Sequence, residues 1–286
     1  MKRLLSTTAA VLILASAASA DPWPQDDPNT DFQPAFPEQT RAPAMDSGVT
    51  LKVEPLAEGL EHPWAVALLP DGSALITERP GRLKLFKDGA LTEVTGIPEV
   101  SAEGQGGLLD VAISPDFKRS RTVYLSYAEP REGGNGTTVA RMQLADDGAS
   151  VDNVMVLFRQ QPTYDGDLHF GSRIVPNPDG TLFVTLGERS DVPIRDSAQE
   201  MSNHLGKLVR IGRTGDVPAD TPFVGQDGIQ PEIYASRLRN VQAATLDAED
   251  RLWTVEHGPQ GGDEVNRPEA GKNYGWPVIT YGEDYS

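Results

Sequence analysis

The 286-residue sequence contains no cysteine. This absence excludes disulfide bonds, thiolate metal sites and a cysteine nucleophile. A protein without these cross-links has to be stabilised by a large apolar core. The roughly 240 residues that follow the N-terminal region are enough for such a core, as one large domain or two small ones.

Basic residues are scarce as well: 25 Lys and Arg stand against 42 Asp and Glu, which gives a net charge of −17. An acidic surface repels phosphate backbones, so nucleic acid is not an expected partner. The sequence also lacks the glycine-rich nucleotide-binding motifs, the Gly-x-Ser-x-Gly motif of hydrolases and the His-Glu-x-x-His motif of zinc proteases. These enzyme classes therefore lose their usual sequence support.

Apolar runs are short throughout, and the densest lies near the N-terminus. Lys2 and Arg3 precede an apolar stretch centred on residues 11–14, and small residues follow at 18–20. The stretch is far shorter than the roughly 20 residues that a membrane-spanning helix needs. We therefore predict a cleaved signal peptide over residues 1–20, a periplasmic or secreted protein, and no membrane span in the mature chain.

Residues 21–48 contain six prolines and few aliphatic side chains. Such a segment cannot bury enough apolar surface to order itself, so we predict an extended linker or arm. From residue 49 to residue 286 the sequence changes to short apolar runs separated by turn residues, and we assign this region to one domain.

A strand–turn–strand phrase recurs four times in that domain. It reads AVALLPDGSALITERPGRLKLF from residue 65, VAISPDFKRSRTVYLSY from 111, RIVPNPDGTLFVTLGE from 173 and AATLDAEDRLWTVE from 243. The turn acids Asp71, Asp116, Asp179 and Glu249 are 45, 63 and 70 residues apart. A unit of about 40–50 residues with several strands is typical of propeller blades, and a β-sandwich would not repeat one phrase. We therefore predict an all-β propeller, in which residues 196–205 are the best helical candidate.

Candidate site residues lie in the loops between these units. His169 lies just before the third unit, beside Asp165 and Asp167. A histidine next to carboxylates can shuttle a proton near neutral pH, which makes His169 a candidate general base. The alternative is a loop histidine that bonds only to the backbone.

Two further segments favour ligand binding. Arg239 and Asn240 combine a rigid fork of donors with an amide and would suit a planar, anionic ligand, unless they only brace a loop. Gly258 and Pro259 form a turn next to acids that include Glu264, and calcium accepts such carbonyl and carboxylate oxygens. An acidic surface loop is the alternative for this turn.

Six phrases, in this order, resemble the soluble PQQ-dependent sugar dehydrogenases: soluble glucose dehydrogenase and, more closely, bacterial aldose sugar dehydrogenase. They are HPWAVALLPDG, GQGGLLDVAISPDF, HFGSRIVPNPDGTLFVTLGE, SRLRNVQ, EHGPQGGDEVN and KNYGWP, within residues 61–286. The resemblance implies a six-bladed propeller that holds pyrroloquinoline quinone (PQQ) and calcium near its axis. It also implies oxidation of aldose sugars at the anomeric carbon to lactones, with electrons passed to an external acceptor.

The resemblance also implies roles for individual residues. His169 matches the general base that takes the proton from the anomeric hydroxyl. Gln105, Arg239, Asn240 and Tyr285 match contacts to PQQ.

The implied calcium ligands lie near the end of the chain. Gly258 and Pro259 match the carbonyl donors to the calcium ion under the quinone. Glu264 and Tyr274 match positions of a second, structural calcium ion, the tyrosine acting through its carbonyl. Asp263 is expected to support the base or its neighbourhood.

The sequence departs from the family at two places. His257 stands where soluble glucose dehydrogenase has a glutamine. The chain ends directly after Tyr285, where the family continues with further blades, so at about 45 residues per blade we expect four to five blades of a C-terminally truncated propeller. The sequence does not specify the preferred sugar, the electron acceptor, the oligomeric state or whether such a chain is active.

Two other functions are compatible with a propeller. One is a calcium-dependent lactonase or other hydrolase, and the other is a non-catalytic propeller that binds sugar or protein. A hydrolase would not need Gln105, Arg239 and Asn240 to converge on a flat anion, so bound quinone separates these alternatives from the dehydrogenase.

Overall fold

The computed structural model describes residues 47–285. The predicted signal peptide, residues 1–20, and residues 21–46 of the predicted linker lie outside the described part. Residues 47–53 belong to a separate unit without helix or strand. None of the helices formed by the described residues has the length and apolar character needed to span a membrane.

The strands of the described residues form four antiparallel sheets, each built from consecutive strands. Blade 1 contains β1 to β4: Pro63–Leu68, Ala74–Glu78, Arg82–Lys87 and Ala90–Val94. Blade 2 contains β5 to β8: Leu108–Ile113, Thr122–Arg131, Gly134–Leu144 and Val151–Arg159. Blade 3 contains β9 to β12: Gly171–Pro176, Thr181–Leu186, Lys207–Gly212 and Ile233–Ser236. Blade 4 contains β13 to β15: Asn240–Leu246, Leu252–His257 and Glu264–Asn266.

The first strand of each blade contacts the first strand of the next, in the order β1, β5, β9, β13. Successive sheets that meet through their first strands are the arrangement of a β-propeller. The prediction of an all-β propeller is therefore confirmed, with four blades among the described residues. Among residues 47–285, helical structure is limited to α1, Phe117–Ser120, and a 3₁₀ helix, Ile194–Gln199, which is shorter than the helix suggested for residues 196–205.

A hydroxyl in the second strand of a blade links it to the next blade. Thr77 Oγ1 donates to Leu109 O at 2.6 Å, Ser126 Oγ to Ser172 O at 2.6 Å and Thr185 Oγ1 to Val241 O at 3.0 Å. Each bond satisfies a buried carbonyl in the first strand of the next blade. The short polar residues inside otherwise apolar strands are thus explained by contacts between blades.

The apolar core lies between neighbouring blades. One cluster joins blades 1 and 2, a second joins blades 2 and 3, and a third joins blades 3 and 4. Completely buried members of these clusters include Leu75, Leu125, Met142, Leu182, Val184, Leu208 and Val241.

The turns of the repeated phrase follow the expected chemistry in three blades and differ in the fourth. Asp71 Oδ1 accepts from Ser73 N, Asp179 Oδ1 from Thr181 N, and Asp116 Oδ1 from the hydroxyls of its own turn. In blade 4 the turn is held by Asp247, which accepts from the backbone of Glu249. The prediction that Glu249 is the turn acid there is wrong, because the side chain two residues earlier reaches the backbone first.

Lys207, at the start of β11, is a completely buried cation. Its Nζ donates to the carbonyl oxygens of Ala198, at 2.9 Å, and Leu205, at 2.6 Å. Burial, with the positive charge of Arg237 nearby, lowers the pKa of Lys207 to about 7. The loop before β11 is therefore tied to the sheet by a lysine that loses its proton far more easily than usual.

We expect Lys207→Met to remove a pH-dependent part of the free energy of unfolding. Above about pH 7 the unfolded chain still holds this proton and the folded chain does not, so wild-type stability relative to the variant rises with pH, by at most about 1.4 kcal/mol per unit. Below that range both states are protonated and the difference is constant. Urea unfolding near pH 6 and near pH 9 measures it. If the free energies of unfolding of wild type and variant differed by the same amount at both pH values, the lowered pKa of Lys207 would be contradicted.

Candidate active site at the propeller axis

The first strand of each blade carries a β-bulge, and the bulged residues meet near the axis. They are Trp64, Asp110, Arg173 and Gln242. The Arg173 guanidinium lies 4.4 Å above the Trp64 ring, bonds Asp110 Oδ1 at 2.7 Å and donates to Gln242 O at 3.1 Å. Bulges re-aim side chains in this way next to functional sites. Arg173 therefore joins all four described blades at the axis.

A cavity of about 190 Å³ adjoins this cluster and is lined by residues that include Trp64, Gln105, Phe170 and Gln242. Two of these belong to or flank the predicted site, since Gln105 is a predicted cofactor contact and Phe170 follows His169. Of the sequence-predicted site residues, Gln105 therefore lines this cavity, and His169 is the chain neighbour of a lining residue.

His169 lies in the loop between β8 and β9 and is buried. Its Nδ1 is 2.7 Å from Oε2 of Glu188, which is completely buried just after β10. In the tautomer in which Nδ1 donates to this carboxylate, Nε2 keeps its lone pair. The arrangement leaves Nε2 available as a base.

Gln105 lies directly against His169. Its Oε1 accepts from the His169 backbone N at 2.9 Å, and its own backbone N donates to Asp167 O at 2.7 Å. These two bonds hold the loop before β5 against the loop before β9. The exposed side chain of Gln105 is thus held next to His169.

Arg239 and Asn240, from blade 4, bond to the residues that surround His169. The backbone N of Glu188 donates to Arg239 O at 3.1 Å, and Asn240 Oδ1 accepts from Gly171 N at 3.1 Å. Direct hydrogen bonds therefore connect Gln105, His169, Glu188 and Arg239 across three blades. Residues that are up to 134 positions apart in the sequence, Gln105 and Arg239, come together at one place.

Several buried polar atoms at this place have no hydrogen-bond partner among the described residues. They are Glu188 Oε1, Arg239 Nε, Glu256 Oε2 and Trp276 Nε1. Buried polar atoms are almost always satisfied in native proteins, so this set fits a site that takes a polar ligand. The Arg239 guanidinium lies 5.1 Å from the Trp276 ring, which gives a flat, cationic surface.

Glu256 is a buried acid behind Arg239. Its Oε1 accepts from the backbone N of Arg239. Burial, with the negative charges of Glu264 and Glu188 nearby, raises the pKa of Glu256 to about 8. At neutral pH the Glu256 carboxyl is therefore mostly protonated, and the positive charge of Arg239 is left largely uncompensated on that side.

The turn after β14 gathers main-chain oxygens. A Cβ at Gly258 would lie 2.2 Å from Gly261 O, so only glycine fits there. Within the described part of the chain, neither Gly258 O nor Pro259 O accepts a hydrogen bond. Free carbonyl oxygens of this kind are ligands that calcium accepts, so the residues present fit a calcium ion.

Asp263 and Tyr285 lie near this turn. Asp263 Oδ1 accepts from Gly258 N at 2.9 Å, and its other oxygen is 3.8 Å from His257 Nδ1. Backbone pairing of Gln260 with Glu283 brings the last described residues alongside, where Tyr285 is 64% exposed. The exposed ring of Tyr285 is free to contact a ligand.

Glu264 and Tyr274 face a second cavity. Both line a cavity of about 690 Å³ whose described lining residues do not include Gly258 or Pro259. Among residues 47–285, no group of three or more His, Cys, Asp or Glu is arranged to hold a metal ion. The two predicted sets of calcium ligands therefore do not line one common cavity among the described residues.

Glu188 is not among the residues that the sequence motifs predict. The acids predicted near the base are Asp165, Asp167 and Asp263, whereas the carboxylate in contact with His169 comes from just after β10. A signal was present, because an acid ends the otherwise apolar strand phrase TLFVTLGE. Which loop this acid faces depends on the blade packing, which no local pattern encodes.

A sequence profile of the glucose/sorbosone dehydrogenase family matches residues 60–286, most of the chain and all the residues above. The chain belongs to this family. The aldose sugar dehydrogenase YliI of Escherichia coli is 44% identical over 242 residues, which cover 83% of this chain and 64% of that protein. The chain thus spans slightly less than two thirds of that curated family member.

Solved structures of the glucose/sorbosone dehydrogenase family share the propeller. A crystal structure of glucose dehydrogenase is 49% identical, with a TM-score of 0.79 over 82% of this chain and 68% of that one. The PQQ-bound form of aldose sugar dehydrogenase from Streptomyces coelicolor is 30% identical, with a TM-score of 0.70 over 81% of this chain and 69% of that one. Both agree with the predicted resemblance.

Proposed function

We propose that the site oxidises aldose sugars at the anomeric carbon to lactones with PQQ as cofactor, and passes the electrons to an external acceptor. The observation that carries this proposal is the cluster of Gln105, His169, Glu188 and Arg239 beside unpartnered buried polar atoms. It pairs a base with a cationic, flat surface, as removal of a proton from a hydroxyl and of a hydride from the carbon that bears it requires.

His169 takes the hydroxyl proton in this proposal. Nε2 accepts the proton from the anomeric hydroxyl while Glu188 stabilises the resulting imidazolium through Nδ1. The C1 hydrogen leaves as a hydride, and PQQ, when bound, supplies its two-electron acceptor. The sugar loses two hydrogens and becomes the lactone, so atoms and electrons balance once an external acceptor reoxidises the cofactor.

Arg239, Asn240, Gln105 and Tyr285 would hold PQQ. PQQ carries carboxylates, and the unpartnered Nε of Arg239 is a donor for such a group. Gly258 and Pro259 would supply carbonyl oxygens to a calcium ion beside the cofactor. Glu264 and Tyr274 would serve a second, structural calcium ion.

The proposed reaction defines the partners, and the predicted signal peptide defines the proposed location. A lactone-forming dehydrogenase needs an aldose as substrate and a separate electron acceptor. The signal peptide predicted for residues 1–20 would deliver the protein to the periplasm or outside the cell, where such an acceptor is reached without crossing a membrane.

We expect Arg239→Met to weaken PQQ binding about 10- to 100-fold in the presence of calcium, because one charge-assisted hydrogen bond is lost. Equilibrium binding followed by quinone absorbance measures this. Arg141→Met, on blade 2, is the matched control and should bind like wild type. Equal affinity in both variants would remove Arg239 from the cofactor site, and a folded wild-type protein that binds no PQQ would contradict the proposed cofactor.

A further inference from the structure

Arg189, the residue after Glu188, is completely buried and is the largest side chain to be so in residues 47–285. Its guanidinium donates from Nε to Leu168 O at 2.9 Å and from Nη2 to Gly166 O and to Asn135 Oδ1. Burial lowers the pKa of Arg189 to about 10, so the group is still a cation at neutral pH. Arg189 is thus a buried cation that donates hydrogen bonds to the carbonyls of the loop that leads to His169.

Arg189 also contacts the residue that follows the base. Its guanidinium carbon lies 4.1 Å from the Phe170 ring and 5.7 Å from the Tyr164 ring. Stacking on Phe170 and bonding to Leu168 O place Arg189 on both chain neighbours of His169. A planar group is required for this, because it has to donate along its edge and stack through its face.

The backbone at His169 has an unfavourable conformation that its contacts must stabilise. His169 has a φ of +47°, a left-handed conformation that a side chain with a Cβ adopts at a cost. Glu188 holds the ring, and Gln105 accepts from the His169 backbone N, which is one end of the peptide before His169. Arg189 donates to Leu168 O at the other end of this peptide and also contacts the Phe170 ring that follows His169.

We propose that Arg189 is a positioning residue for His169, fixing the loop so that Nδ1 meets Glu188 and Nε2 faces the reacting sugar. The consecutive residues Glu188 and Arg189 thus hold one histidine, the first by its ring and the second by its backbone. The role of His169 as base rests on the proposed function, whereas the geometry that Arg189 imposes does not.

The competing explanation is that Arg189 only stabilises the fold. Lys207 provides a matched control, since it is also a completely buried cation that donates to two backbone carbonyls, but of the loop at 198–205. Lys207→Met should change stability without changing His169.

The first experiment follows the imidazoles in the cofactor-free full chain labelled with ¹⁵N-histidine. The sequence has four histidines, so the His169 signal is identified by its loss in His169→Asn. We expect one Nδ1–H tautomer in wild type and in Lys207→Met. In Arg189→Met and Arg189→Lys we expect a mixture of tautomers or several His169 signals, because the loop no longer holds one conformation.

A second measurement uses turnover of the PQQ-loaded protein. Misplacement of a reacting group by about 1 Å costs about 100-fold in rate, so we expect kcat to fall 10- to 100-fold in Arg189→Lys with KM and PQQ affinity little changed. Arg189→Lys keeps the charge and decides the matter if Arg189→Met does not fold. A wild-type His169 signal together with a wild-type kcat in Arg189→Lys would overturn the proposal.

The two proposals fail in different ways. If wild type shows no PQQ-dependent turnover, the proposed function fails, while the tautomer experiment still reports whether Arg189 positions His169. If turnover is present and the His169 signal is insensitive to Arg189, only the positioning role is lost.

Discussion

His169→Asn should lower kcat for aldose oxidation by about 100- to 10,000-fold, the range that general-base catalysis contributes, and leave PQQ affinity unchanged. Asparagine removes the base but tolerates the left-handed backbone found at this position, φ +47°. The loss should therefore be chemical and not a collapse of the loop. Steady-state kinetics with a dye acceptor and saturating PQQ and calcium measures it.

The chain offers a matched control for this substitution. His62 has the same φ of +47° but is exposed and lies outside the cluster. His62→Asn should keep wild-type kcat. A kcat in His169→Asn within a factor of about two of wild type would remove His169 as the base, because no other described histidine contacts Glu188.

Glu188→Gln should lower kcat by about 100- to 10,000-fold with little change in stability, because the side-chain volume is kept. A glutamine cannot stabilise the imidazolium that forms when Nε2 takes the proton. Its amide can also donate to Nδ1, which would place the histidine hydrogen on Nε2 and block the base. Either effect acts on kcat and leaves KM for the sugar nearly unchanged.

A second buried histidine–glutamate pair controls for the substitution. His204 Nε2 is 3.0 Å from Glu232 Oε1, while its Nδ1 accepts from Gln161 N at 2.9 Å. Both ring nitrogens of His204 are occupied, so this pair holds loops together and has no free base. Glu232→Gln should leave kcat intact, and a wild-type kcat in Glu188→Gln would mean that the carboxylate does not assist His169.

The fold could be predicted from the sequence because its turns and strands are specified by short, local sequence patterns. The structure has turns at the Pro-Asp-Gly sequences around Asp71 and Asp179, and each turn joins two strands of the predicted length. The exception at Glu249 shows the limit, since Asp247 reaches the same backbone groups and only the turn geometry decides between the two.

The site was predictable only in part. The positions of His169, Gln105 and Arg239 follow from the resemblance, and the structure brings them into one network. Glu188 and Arg189 were missed because their partners lie in a different loop, 19 or more residues away in sequence. Contacts of this kind follow from how blade 3 packs against its neighbours, not from any motif.

The most direct test of the central claim is dye-linked oxidation of an aldose by the purified protein, with and without PQQ and calcium. It should be run on the 286-residue chain and on the product of the whole reading frame of its gene. We expect dye reduction only when both PQQ and calcium are present, with one lactone formed for each pair of electrons. A folded protein that binds PQQ and calcium yet reduces no dye, or that hydrolyses lactones instead, would contradict the account and favour a binding or hydrolytic propeller.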